Sequence, residues 1–438
     1  MGGSTRSHPW RWMILLSRFV WSLTCVGNLK ALGVFIPQFV QHFSTTTAAA
    51  GLACSASVGF GMIIAGPFVG ALVKSCDPRK LTMAGGMLSA LATMAAASSS
   101  SVTQLAVWFA LSSIGLVFIQ VASMKPFVDY FPENFAFANG FSLAGGTIGM
   151  MVLPPVTEYL VSVYGWRSAL AFMGAFSLHY VVSGALLRPL PGGAGRYKQV
   201  PNDGDPVETP KPHNLGKFKG GARSLSFQDF RESLRDQFDA HLLTEPLFIV
   251  YQLVAVLCGG IFTMWHLFLI PQGIELGYGD SKAAFLATFA GLGLLAGRLG
   301  HGTLVDRGLV KAWALFVATS LVFAASCLAD PLIVSPYAAL AATCVVSGIA
   351  VGVFYPLTYV IVREITGDQH MSAYGWLFTS IGAGEMLGGV ILGWIHDVSG
   401  NYVVVFMAIG VLAFTMAAIL VITRLLVYCC ESGDEPQS

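Results

Sequence analysis

Twelve times along this chain the sequence runs apolar for about 20 residues, the length an α-helix needs to cross a bilayer. The windows fall near 12–39, 48–73, 81–99, 102–126, 135–163 and 166–188, then 246–271, 282–305, 312–330, 336–362, 371–396 and 402–428. Strands of a membrane barrel would be about ten residues long with alternating polarity, and these runs are neither. Only 11% of the 438 residues are charged, against roughly 25% in a soluble domain. The reading is an all-α membrane protein of twelve helices in two six-helix halves, with the lipid bilayer as solvent. A net charge of +1 gives no support for a nucleic-acid partner. The first run is too long for a signal h-region and lacks a cleavage pattern, so it is expected to stay in the mature chain.

Lys and Arg placement sets the expected orientation. With the amino terminus inside, the cytosolic segments collect Arg6, Arg11, Lys74, Arg79, Lys80, Arg307, Lys311, Arg363 and Arg424, and the central loop adds nine more, while the external loops hold Arg167 and Lys282. Both termini are therefore expected in the cytosol. The domain reading is an N-terminal half over residues 1–188, a cytosolic linker over 189–243, a C-terminal half over 244–428 and a short tail over 429–438. The linker begins rich in Gly and Pro, as disordered segments are. It ends in an amphipathic pattern, with Phe227, Phe230, Leu234, Phe238 and Leu242 at helical spacing. That helix fits the lipid surface or the underside of the bundle equally well.

The halves repeat. FANGFSLAGGTIG at 137–149 is similar to SAYGWLFTSIGAG at 372–384, and GPFVGALV ahead of Asp77 is similar to GRLGHGTLV ahead of Asp306. Parallel six-helix repeats point to a secondary transporter whose site lies between the halves near the midplane. Gly140, Gly145, Gly146, Gly149, Gly293 and Gly297 read as close-packing positions between helices. They do not follow a strand, so they are not phosphate loops. Eight cysteines show no metal-ligand spacing; most read as buried thiols, and the pair Cys429–Cys430 is a candidate for palmitoylation.

Charges inside apolar spans mark candidate sites, since an arginine at a span centre costs at least about 2.5–3.5 kcal/mol. Arg18, Lys125 and Glu158 lie near span ends and read as edge residues that snorkel to water. Lys30, Arg298 and Glu385 are deeper and need a cavity or a partner. A guanidinium binds a carboxylate through two parallel hydrogen bonds, a strong and orienting pair in a low dielectric. Arg298 could instead pair with Glu385 between helices. His179 and His266 read as packing residues, and His301, one turn after Arg298, as a candidate neighbour of the site. Phe354, Tyr355 and Thr358 are candidate cavity-lining residues by helical facing.

Taken in order, several pieces resemble the monocarboxylate transporters of the major facilitator superfamily. Trp10-Arg11-Trp12 is similar to that family's Trp-Gly-Trp, although Ser7-His8-Pro9 replaces the usual acidic Asp-Gly-Gly. Tyr130-Phe131, Ala138-Asn139-Gly140 and Tyr164-Gly165-Trp166-Arg167 resemble its fifth-span motif, with Pro132, Glu133 and Asn134 in place of basic residues. Gly297-Arg298 with Asp306-Arg307 resembles the eighth span, and Gly393-Trp394, Asp397 and Gly400-Asn401-Tyr402 the end of the eleventh. The resemblance implies the major facilitator fold and a plasma-membrane carrier of a small monocarboxylate. It implies that Arg298 holds the carboxylate and that Lys30 handles substrate or proton. It also implies no cofactor beyond a co-transported proton, and for several members a single-span glycoprotein chaperone. One departure bears on coupling: the aspartate that lactate-carrying members of the family have four residues before the arginine is Leu294 here. Glu385 or Lys30 is then the candidate proton carrier, or transport is facilitative. Carriage of amino-acid or carnitine- and creatine-like zwitterions, or carboxylate sensing without flux, are the alternatives. No nucleophile–base pair or metal cluster supports an enzyme, and without an Asn-x-Ser/Thr sequon N-glycosylation is not expected.

Overall fold

The computed structural model describes residues 9–56, 59–188, 238–333, 336–367 and 371–433. Apart from a short 3-10 turn at Ala240–Thr244, the regular elements among these residues are α-helices. The first half holds α1 (Arg11–Phe43), α2 (Thr47–Ala56), α3 (Gly59–Ser75), α4 (Pro78–Ala96), α5 (Val102–Ala122), α6 (Met124–Tyr130), α7 (Phe135–Phe176) and α8 (His179–Leu186). The second half holds α9 (Pro246–Glu275), α10 (Gly279–Asp306), α11 (Ala312–Leu328), α12 (Asp330–Ile333), α13 (Tyr337–Thr366), α14 (Met371–Ser399) and α15 (Tyr402–Gly433).

Local chemistry explains the breaks between rods. Asp77 caps α4, its carboxylate accepting the Arg79 N–H at 2.9 Å, and Pro78 takes the first helical position, where no N–H is needed. Ser101 caps α5 in the same way through the Gln104 N–H. Within α7, Gly165 adopts φ 77°, a left-handed conformation that favours glycine. The chain reverses there. Thr157 and Met173 would stand about 24 Å apart on a straight helix at 1.5 Å per residue, yet the Thr157 hydroxyl meets the Met173 sulfur at 3.8 Å. The long run is thus two antiparallel arms.

Among the described residues, eight stretches are long and apolar enough to cross a membrane, including 135–186, and Ala312–Leu328 is a shorter apolar helix. Large apolar side chains such as Val107, Phe172, Val182, Phe285, Ile391 and Val411 stand exposed on the outer faces. In water that coverage would be an aggregation surface, whereas in lipid it is the solvated face. The protein is a multi-pass membrane protein.

The halves meet along two seams, α3 against α14 and α7 against α10. Gly66 packs on Gly375, and Gly70 on Ser372. On the other seam, Gly140 lies directly against the Arg298 carbonyl, and Gly302 against the backbone of Phe137. The repeat explains this pairing: Gly66-Pro67 occupies the place of Gly297-Arg298, and Gly140 that of Gly375, so one contact is used twice. Gly145 and Gly149 seat α7 on the backbone of α1 at Phe19 and Leu23. No side chain fits at such approaches.

At the end of the bundle carrying Lys74, Arg307 and Arg363 the seams are sealed. The Asp306 carboxylate accepts the backbone N–H groups of Ala136 (3.0 Å) and Phe137 (2.7 Å), capping α7 from the opposite half. Arg363 donates to the Pro132 carbonyl at 3.2 Å, and Asn139 to the Pro356 carbonyl at 3.1 Å. One core cluster spans both halves at this end and deep into the second half. At the opposite end, Phe35, Phe39, Phe109, Trp166 and Leu170 form a cluster confined to the first half. The halves are closed together at the basic end and packed separately at the other.

Most of the amphipathic pattern in the linker lies outside the described residues. Its last part is visible and docks on the bundle. Phe238 meets Phe68 edge to face with ring centres 5.3 Å apart, its carbonyl accepts the Trp376 indole N–H, and Asp239 pairs with Lys74 at 2.6 Å.

Candidate substrate site between the halves

Arg298 projects from α10 into the α7 seam and is 3% exposed. One terminal nitrogen donates to the Leu143 carbonyl at 2.6 Å and to the Thr147 hydroxyl at 2.7 Å. Its Nε has no partner, and no ion pair joins it to Glu385 or another carboxylate among the described residues. Two neutral contacts leave most of the fork unused. In a low dielectric an uncompensated cation is costly, so the geometry leaves Arg298 poised for an anion.

Phenols gather beside it. Tyr355 and Tyr359 of α13 lie within electrostatic reach of the guanidinium and hydrogen-bond to one another. Tyr355 packs on Phe262 with ring centres 4.6 Å apart, and Tyr359 on Phe378 at 5.6 Å. Lys30 of α1 and Glu385 of α14 are both half-buried and feel one another's charge from opposite halves. His266 of α9 feels both Lys30 and Arg298, and its Nε2 has no partner. Arg298, Lys30, Glu385 and Tyr355 therefore surround one region between the halves.

Other candidates are placed differently. His301 bonds through Nδ1 to the Gly297 carbonyl of its own helix and lies against Gly140, with Nε2 unpartnered. The Thr358 hydroxyl is turned back to the Tyr355 carbonyl. Phe354 points into the second half, between Phe316 and Phe323. Leu294 is fully buried where Gly348 and Gly352 bring α13 onto α10. His179 packs between Phe176 and Tyr180, and Glu158 is exposed.

Two residues stand nearer the site than their place in the sequence indicates. His266 is one. Arg18 is the other: it does not snorkel, being 2% exposed, with its guanidinium on the Ser123 hydroxyl and over the rings of Phe127 (4.8 Å) and Trp21 (5.5 Å). Distance from a span end does not say which way a side chain faces. The pairing of Trp21 with Ser17 and Ser22 around Arg18, an unusual polar cluster in an apolar helix, was the available signal.

Two small cavities lie inside the halves rather than between them. One is lined by Asn28, Ser89, Thr93, Ser112, Ser177 and Tyr180 among others, the other by Gln272, Asp330 and Ser347 among others. Neither touches Arg298, Lys30 or Glu385. The candidate residues for chemistry are therefore the charged ones at the seams and not those lining these cavities.

Known proteins agree with this architecture. The family profile described as Major Facilitator Superfamily matches residues 12–329 and 253–428. Monocarboxylate transporter 13 of Bos taurus is 28% identical over 98% of the chain and 92% of its own length. Monocarboxylate transporter 14 of Mus musculus is 24% identical over 93% of the chain and 90% of its own length. In fold, the chain is similar to the proton:xylose symporter XylE (TM-score 0.73, 13% identity, 94% of this chain and 95% of that one). It is also similar to the E. coli fucose:proton symporter FucP (TM-score 0.63, 18% identity, 94% and 98%). An all-helical bundle built from repeated halves, sealed at one end around buried charges, is a transporter's architecture and not an enzyme's, and the chain belongs to the Major Facilitator Superfamily, in its monocarboxylate transporter family.

Proposed function

We propose that the protein carries a small monocarboxylate across the plasma membrane by alternating access of two six-helix halves. Twelve spans, with the basic end and both termini in the cytosol, complete the arrangement. With that orientation, the state described above is closed to the cytosol. The observation that carries the reading is Arg298: buried at a seam between halves, held by two neutral acceptors, and without a carboxylate partner among the described residues. The substrate carboxylate supplies the missing charge through the unused part of the guanidinium fork. Lys30 attracts the anion from the outer side, and Glu385 balances Lys30 when the site is empty. Glu385 is also the proton carrier in a coupled cycle, since Leu294 offers no acid.

Uptake of labelled lactate into proteoliposomes tests this. Arg298→Ala is expected to lose at least about 100-fold in uptake, the value of a charge-assisted bidentate contact of roughly 3 kcal/mol. Arg298→Lys keeps the charge without the fork and should recover only part. Equal transport by wild type and Arg298→Ala would remove the role assigned to the arginine. A second reading, carriage of a zwitterion, draws on Glu385: half-buried and without an ion pair among the described residues, it could hold an ammonium group. Competition of lactate uptake by amino acids separates the two.

A further inference from the structure

The proposed function leaves one buried cation unused. Arg18 lies on α1 of the first half, and its surroundings come from both halves. Ser123, Phe127 and Trp21 belong to the first; Tyr359 of α13 and Tyr374 of α14, both within electrostatic reach, belong to the second. Its Nε has no hydrogen-bond partner, and no carboxylate pairs with it among the described residues. A guanidinium kept in an apolar span for packing alone would be expected to spend its donors on carbonyls or an acid. This one spends a single donor on a serine.

Its depth matters. The Phe19 carbonyl touches Gly145 of α7, and Arg298 holds the Leu143 carbonyl and the Thr147 hydroxyl of the same two turns. The α1 turn that carries Arg18 and the α10 turn that carries Arg298 thus meet α7 within the same two turns, one from each half. Tyr359 lies within reach of both. Among the described residues, the interior of the spans around this region holds the cations Arg18, Lys30 and Arg298 against one carboxylate, Glu385. A single carboxylate on Arg298 leaves an excess positive charge in a low dielectric; a second anionic group removes it.

We propose that the site takes a small dicarboxylate, one end on Arg298 and the other on Arg18, with the Tyr359 hydroxyl between them. The proposal rests on the reading that Arg298 holds a carboxylate, and replaces the monocarboxylate of that reading with a dianion. It makes Arg18 the residue that discriminates by charge, because a substrate with one acidic end engages only one guanidinium. It also gives the dianion a grip on both halves at once, which favours their approach around it.

Uptake of labelled succinate and labelled lactate at neutral pH, by the full chain in proteoliposomes, tests it. The wild type is expected to take succinate in preference to lactate. Arg18→Gln should lower the succinate-to-lactate uptake ratio by about tenfold or more, the worth of one charge-assisted contact, and Arg18→Lys should restore part of it. Monodispersity in detergent shows whether each variant is folded. An unchanged ratio in folded Arg18→Gln, equal loss of both fluxes, or a wild type that carries lactate and excludes succinate overturns the dicarboxylate. Undiminished uptake of both acids by Arg298→Ala overturns the earlier reading as well, as does a wild type that moves neither acid.

Discussion

The seal at the basic end must break for the site to open there, and Asp306 gives the clearest handle on its strength. Its carboxylate sits at the end of α10 and accepts two N–H groups from the first turn of α7, across the boundary between halves. These donors are among those a helix start leaves unsatisfied, and the positive end of the helix dipole adds to the attraction. Hydrogen bonds to a charged group are worth about 1.5–3 kcal/mol each. Asp306 is half-buried, so solvent screening removes part of that. A net of roughly 2–3 kcal/mol for the clamp is a reasonable figure, which shifts the closed-to-open equilibrium at this end by about 30- to 150-fold. Asp306→Ala should therefore move the population toward the state open at the basic end. Asp306→Asn, which keeps one acceptor oxygen and no charge, should move it roughly half as far in free energy. Spin labels at Lys80 and Leu309, exposed positions on opposite halves at this end, would report the change as a longer component in the distance distribution. A distribution for folded Asp306→Ala that superimposes on the wild type would refute the clamp.

Two further outcomes are expected. At Gly140 a Cβ would run into the Arg298 backbone carbonyl, which cannot move without parting the seam. Gly140→Ala should lower the thermal midpoint, at a cost of about 1–3 kcal/mol for overpacking, and lower transport, whereas Gly300→Ala, with open space around it, should do neither. Asp330 is 3% exposed and accepts the Gln272 amide N–H at 2.6 Å. Asp330→Ala would leave that buried donor unpaired, at a cost of about 1–3 kcal/mol, and should lower the thermal midpoint in detergent; a midpoint equal to wild type would remove this contact as a source of stability.

The fold was legible because a bilayer accepts few solutions. Apolar runs of the right length with internally satisfied backbone must be helices, and the repeat that pairs Gly66 with Gly297 and Gly140 with Gly375 already pointed to two related halves, although not to the seams at which those glycines meet. Gly165 is an instance of what sequence length alone hides: apolar character continues across it, and only its left-handed backbone turns one run into two arms. The site was legible in part. Arg298 could be picked out because its neighbours in sequence are apolar on every side, which leaves no cheap way to reach water. Arg18 reads as an edge residue from its place near a span end, and His266 as a packing residue from being a lone histidine in an apolar span, yet their helices turn both inward. Phe354 and Tyr355 are adjacent, and a rotation of about 100° per residue sends one into the second half and the other to the arginine.

Leu294 ties these points together. In the family pattern an acid at this position would neutralise the arginine one turn away. Here the position is fully buried in the α10–α13 contact, where Gly348 and Gly352 leave room for an apolar side chain. The packing that fills this place with leucine also strips Arg298 of an intrahelical counter-ion. From the α1 turn that meets α7 there, the first half supplies a second cation, Arg18. Both features act in one direction: in the proposed site they raise the positive charge of the empty carrier and transfer its neutralisation to whatever enters. A cation-rich empty site should resist closing around nothing, since closure would bury like charges together. It follows that return of the empty carrier should be slow compared with its loaded transit, and that exchange of one anion for another should outpace net uptake.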